Sequence, residues 1–123
     1  MKHVLLIFLG GGLGSVLRYL ISSYFNSSES QLYLGTFLVN IIGCLLIGLI
    51  VGISLRNTWM STETSLLLGA GFCGGFTTFS TFSMEMQALL REGNLLMFFG
   101  YMAASILLGI LMVMLGLWLS RAW

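Results

Sequence analysis

The sequence predicts an all-α membrane protein: four transmembrane helices, the third broken near its middle, with two copies paired antiparallel. Three observations lead there. Of 123 residues, 58% are hydrophobic and only 7% charged, with no proline and a mean hydropathy of +1.02. A soluble domain carries charge on about a quarter of its residues, and a globule this small cannot bury so much apolar side chain. Stretches near the ~20 apolar residues needed to cross a bilayer recur four times. One of them is interrupted by GFCGGFTTFSTFS, residues 71–83, where three glycines and five Ser/Thr hydroxyls share thirteen positions with four phenylalanines.

The apolar stretches fall at about residues 3–24, 33–54, 62–90 and 95–119, a single four-span domain over 1–123. The connecting segments NSSESQ, RNTWMSTE and REGN hold most of the charged and turn-forming residues. No segment alternates over ten residues as a barrel strand would. The first span opens at Lys2-His3 and runs into VLLIFLG. No polar mature domain follows, so it reads as a span and not as a cleaved leader. His3 has no partner in view and is given no role. Gly10 with Gly14, and Gly48 with Gly52, form small-x-x-x-small pairs suited to close helix packing. Trp59, Trp118 and Trp123 lie near span ends, where aromatic side chains anchor at the interface.

The net charge of +1 offers no basic patch for nucleic acid. Basic residues near span ends divide as Lys2, Arg56 and Arg121 on one side against Arg18 and Arg91 on the other. So even a split hardly selects an orientation, and the chain is expected to insert both ways. Four spans enclose little interior, so two copies are needed to line a pathway; an antiparallel pair satisfies both conditions. Cys44 and Cys73 have no metal-ligand spacing and read as small packing residues facing other helices.

Chemistry concentrates in the third span. Gly69, Gly71, Gly74 and Gly75 make a poor helix interior, each costing about 1 kcal/mol against alanine. A break near residues 74–78 would free backbone carbonyls at mid-membrane, which survive only in a protein-lined or polar setting and resemble the cation sites of broken transporter helices. Phe76, Phe79 and Phe82 follow at steps of three, roughly one helix face. Their ring edges are positive and can touch an anion without a formal charge; a lipid-facing or packing stripe is the plainer alternative.

Asn40 in the second span, with Thr36 one turn before it, is either an interhelical hydrogen bond or a donor to a passing anion; left unsatisfied it would cost a few kcal/mol. Tyr101 and Ser105 share a face of the fourth span. Arg18 lies about 24 Å along the helix from Lys2, and it and Glu85 read as residues at a pore mouth or as simple anchors.

GGGLGSVLRY, GTFLVNIIGCLLIG and GGFTTFSTFSME resemble the Fluc (CrcB) fluoride channels, over the whole chain in length and span count, with the third motif highly specific. The resemblance implies passive fluoride export across the cell (inner) membrane, lowering cytoplasmic fluoride, through a dual-topology homodimer with two pores. It places Asn40, Phe79 and Phe82 on the anion path with Ser80 and Thr81 beside them, and Tyr101 and Ser105 on a polar track. It implies a structural sodium ion at the dimer axis held by the carbonyls of Gly74 and Thr77. The family's track continues with hydroxyls on the next two turns, where this chain has Gly109 and Val113. Pairing with a homologous subunit is a variant of the same scheme.

A runner-up of another class is a proton-coupled multidrug exporter, also four-span and dual-topology. It needs a membrane-embedded carboxylate; the first span has none, and Glu85 sits near the end of its own. A transport-free structural subunit would explain the glycines but not the interleaved Phe and hydroxyls. Catalysis finds no acid/base constellation. Choice of fluoride over chloride rests on the resemblance.

Overall fold

The computed structural model describes residues 1–26, 33–56 and 60–122, which contain no strand. Four helical segments among them are long and apolar enough to cross a membrane: Lys2–Phe25, Leu34–Arg56, Thr62–Arg91 and Leu95–Ala122. The first is α1 (Lys2–Phe25) and the second α2 (Leu34–Arg56). The third comprises α3 (Thr62–Ser65), a π-helical stretch at Leu66–Cys73, α4 (Gly74–Phe76) and α5 (Phe79–Arg91). The fourth is α6 (Leu95–Leu119), closed by a 3₁₀ turn at Ser120–Ala122. The first three spans lie within two residues of the bounds read from hydropathy, and the fourth ends three residues later, at Ala122.

Side chains fix the ends. The Asn26 amide oxygen accepts the Gly35 N–H at 2.7 Å, stitching the end of α1 to the start of α2. Ser61 caps α3 through the Thr64 N–H at 3.1 Å, and Asn94 caps α6 through that of Met97 at 3.3 Å. Gly93, at φ +70°, takes the left-handed turn that reverses the chain between α5 and α6.

Glycine sets which helices touch. Gly10 and Gly14 bring α1 against the backbone of the third span at Leu67, Phe72 and Phe76, in parallel register. Lys2 pairs with Glu63 at the start of both elements. Gly48 and Gly116 do the same for α2 and α6: a Cβ on either would overlap the backbone of Val113 or Leu45. Such contacts give backbone-to-backbone packing where hydrophobic burial cannot drive association in lipid.

The core is small: Val39, Cys73, Phe76, Met86 and Leu89 are its buried apolar members. Much of the outer surface is exposed apolar side chain, including Phe8, Leu96 and Met114. Trp118 is exposed as an interfacial anchor should be; Trp59 and Trp123 lie outside the described residues.

Candidate functional site

Between α4 and α5 the chain leaves helical geometry for two residues, Thr77 (φ −86°, ψ 159°) and Thr78 (φ −148°, ψ 120°). Side chains claim the backbone donors there. The Thr78 N–H donates to the Asn40 amide oxygen at 2.8 Å, and the Asn40 NH₂ donates back to the Thr78 carbonyl at 3.0 Å. The Thr81 N–H donates to Thr78 Oγ1 at 3.2 Å, the usual role of an N-cap hydroxyl. In an unbroken helix those two N–H groups would bond the carbonyls of Gly74 and Thr77. Both carbonyls therefore lose their helical donors to side chains. Gly74 is also exposed, with nothing within 4 Å of where a Cβ would stand.

Beside the interruption lies a cavity of about 470 Å³. It gathers Asn40, Gly74, Thr77, Phe79, Phe82 and Ser105 from three spans, with Cys44, Cys73 and Thr78 also on its wall. Asn40 thus spends its oxygen and one N–H on the Thr78 peptide and keeps its second N–H. The Ser105 hydroxyl is buried with no hydrogen-bond partner among the described residues. Cys44 and Cys73 are free thiols on this wall, not merely at helix contacts.

The phenylalanines do not form one face. Phe76, before the interruption, is 1% exposed and stacks on Phe72 at 5.6 Å. Phe79, after it, is 80% exposed. Two extended residues reset the helical phase, so a spacing of three no longer means a shared side. Phe79 and Phe82 remain neighbours, with ring centroids 6.0 Å apart, and Phe82 lies 5.2 Å from Tyr101.

Tyr101 faces a second cavity of about 260 Å³ with Tyr33 and Phe37. Its hydroxyl donates to Glu85 at 2.8 Å, and the other carboxylate oxygen of Glu85 accepts from Thr36. Glu85 is 7% exposed. It stands inside the protomer, among hydroxyls of the second and fourth spans, and not at a solvent-facing mouth. An ionisable group within a span turns inward to find such partners.

Arg18 is likewise turned inward: its Nε donates to the Gly75 carbonyl at 3.0 Å, which Ser15 also meets at 3.3 Å. Ser80 and Thr81 hydrogen-bond to the Thr78 hydroxyl at 3.2 and 3.1 Å, building the cap of α5. Gly109 packs on Cys44 and the Val113 backbone on Gly48, so these two positions serve contact between α2 and α6.

Sequence reasoning gave no site role to Thr78, Thr36 or Ser15. Thr78 sits just before the amphipathic run of α5, where an N-cap hydroxyl is expected, which was the available signal.

A four-span, all-helical chain with a largely apolar cavity that carries a few polar groups beside an interrupted span is a multi-pass membrane protein of the transport class. Residues 5–117 match the family described as CrcB-like protein, Camphor Resistance (CrcB). A protein of Phocaeicola vulgatus named fluoride-specific ion channel FluC is 51% identical over 98% of this chain and 100% of its own length. Proteins of the same name from Gloeothece citriformis, 47% identical over 98% of both chains, and Leptospira interrogans, 42% identical over 98% of this chain and 95% of that one, are similar throughout. The chain belongs to the CrcB family.

Proposed function

We propose that this protein is a fluoride-selective channel that exports fluoride passively and lowers its cytoplasmic concentration. The observation that carries the reading is the 470 Å³ cavity, which brings Asn40, Phe79, Phe82 and Ser105 together beside the interruption. Its free donors, the second N–H of Asn40 and the hydroxyl of Ser105, are neutral, and the rings add positive edges. A small anion is thereby held without the charge that would trap it. The run from Phe79 through Phe82 to Tyr101 continues the path. The names of the relatives supply the choice of fluoride. Ser80 and Thr81 act through the cap that orients Phe79.

The working unit is an antiparallel homodimer, or a pair with a homologous subunit. Exposed Gly74 and Phe79 would meet the second copy, and the basic residues divide almost evenly between the two sides. The third span is then broken for a purpose. A sodium ion at the axis fits the carbonyl oxygens of Gly74 and Thr77, hard donors relieved of their helical N–H partners. Its positive charge would offset part of the cost of drawing anions into a low-dielectric interior.

The buried Glu85 is the one feature that suits a proton-coupled exporter. Both its oxygens are engaged by hydroxyl donors, which fits a fixed acceptor that orients Thr36 and Tyr101. Efflux from liposomes holding the purified protein separates the readings. Fluoride should leave rapidly and chloride should not, with no imposed proton gradient; equal passage of both anions, or proton-driven export of organic cations, would remove the channel assignment.

A further inference from the structure

Four carbonyls, those of residues 74–77, would pair in an unbroken helix with the N–H groups of residues 78–81, and at the interruption they are not treated alike. Those of Gly74 and Thr77 lose their helical donors. That of Gly75, one residue from Gly74, is taken by the first span: Arg18 Nε donates at 3.0 Å and Ser15 Oγ at 3.3 Å. Arg18 and Ser15 stand three apart, on one face of α1. Nε is the one Arg18 nitrogen with a partner among the described residues. Gly75 is seated there by its own bareness, since a Cβ on it would overlap the Gly11 carbonyl.

An arginine in a span that served only as an anchor would reach for the interface. This one instead crosses to a backbone oxygen 57 residues away in sequence. With Thr77 and Thr78 extended, the Gly75 carbonyl cannot close a helical turn either, so it competes with its neighbours to face the axis. A charge-assisted hydrogen bond is about twice as strong as a neutral one, enough to hold one carbonyl aside. The guanidinium also keeps its formal charge on the α1 side of α4.

We propose that Arg18, supported by Ser15, is a positioning residue that turns the Gly75 carbonyl toward α1, leaving those of Gly74 and Thr77 as the cation ligands. The role rests on the sodium reading above. Lysine at this position keeps the charge but offers a mobile point donor in place of a planar fork, and glutamine keeps a donor without the charge.

The test is a sodium titration of the thermal stability of the purified dimer in detergent, with potassium as the control salt. The wild type should be stabilised by sodium selectively. R18Q should need about tenfold more sodium for half-maximal stabilisation, the size of one lost charge-assisted hydrogen bond. R18K should fall between the two, and S15A should shift the midpoint about two- to threefold. Wild-type midpoints in R18Q and R18K would overturn the role of Arg18 while leaving the cation site in place. A wild type indifferent to sodium would overturn the cation reading and this role together. Should R18Q fail to fold, R18K and S15A decide: a raised midpoint in both supports the role, and unchanged midpoints overturn it.

Discussion

Along the α2–α6 seam, a Cβ on Gly48 or Gly116 would overlap the backbone of the facing helix; at Gly74, beside the interruption, nothing lies within 4 Å of where one would stand. The same residue type thus does two jobs. In the seam glycine lets two continuous helices close to backbone contact. At the interruption the chain gives up helical bonds, and Asn40, Thr78 and Arg18 each take over a backbone group. One region is closed by backbone contact between glycines and the facing helix. The other is held by a few named side chains, and each can be removed separately.

The largest effect should come from breaking the seam. Gly116→Leu places a side chain where the Leu45 carbonyl and the Leu49 N–H lie, and overpacking of this kind costs about 1–3 kcal/mol or more. Little folded protein should be recovered after detergent extraction, measured by size-exclusion chromatography. Recovery at wild-type yield would show that the seam is loose.

Next in size is the loss of the ring edges. Phe79→Ile or Phe82→Ile keeps bulk and removes the positive edge. A contact of about 1.5 kcal/mol lost from the path corresponds to a fall of about tenfold or more in fluoride efflux, while the dimer survives. Wild-type rates in either well-folded variant would remove the role given to the rings.

The smallest effects on folding should come from the interruption itself. Gly74→Leu has room in the protomer, so helicity by circular dichroism should hardly change while the dimer and its cation are lost. Thr77→Ser keeps the backbone ligand and should retain both. Loss of the single-chain fold in Gly74→Leu would mean that Gly74 is a seam glycine after all.

How much of this was legible in the sequence follows the same division. Hydropathy sets the span bounds because lipid imposes a length, so the four spans could be read to within three residues. The hydroxyl run marked the interruption, whereas Gly69, Gly71, Gly74 and Gly75 all lie in helical stretches and the chain leaves helix only at Thr77 and Thr78. Asn40, Phe79, Phe82 and Ser105 do meet in one cavity. The positions of Arg18 and Glu85 were not legible. Distance along a helix suggests an interface, but only the fold reveals which carbonyl or hydroxyl waits across the gap. The Phe76-Phe79-Phe82 stripe failed for a related reason: helical periodicity carries no information across two extended residues.

Orientation can be checked with C-terminal tags, which should appear on both sides of the membrane in about equal amounts. A C-terminus found on one side alone would favour a partner subunit over a homodimer.

The interruption as a cation site between two copies is tested most directly by a high-resolution map of the dimer with the sodium replaced by a heavier monovalent cation. A single ion peak on the axis, contacted by the carbonyl oxygens of Gly74 and Thr77 from both copies, is the expected result. A continuous helix through residues 74–78, or an axis filled only by side chains, would contradict it and leave the glycines of the third span to packing alone.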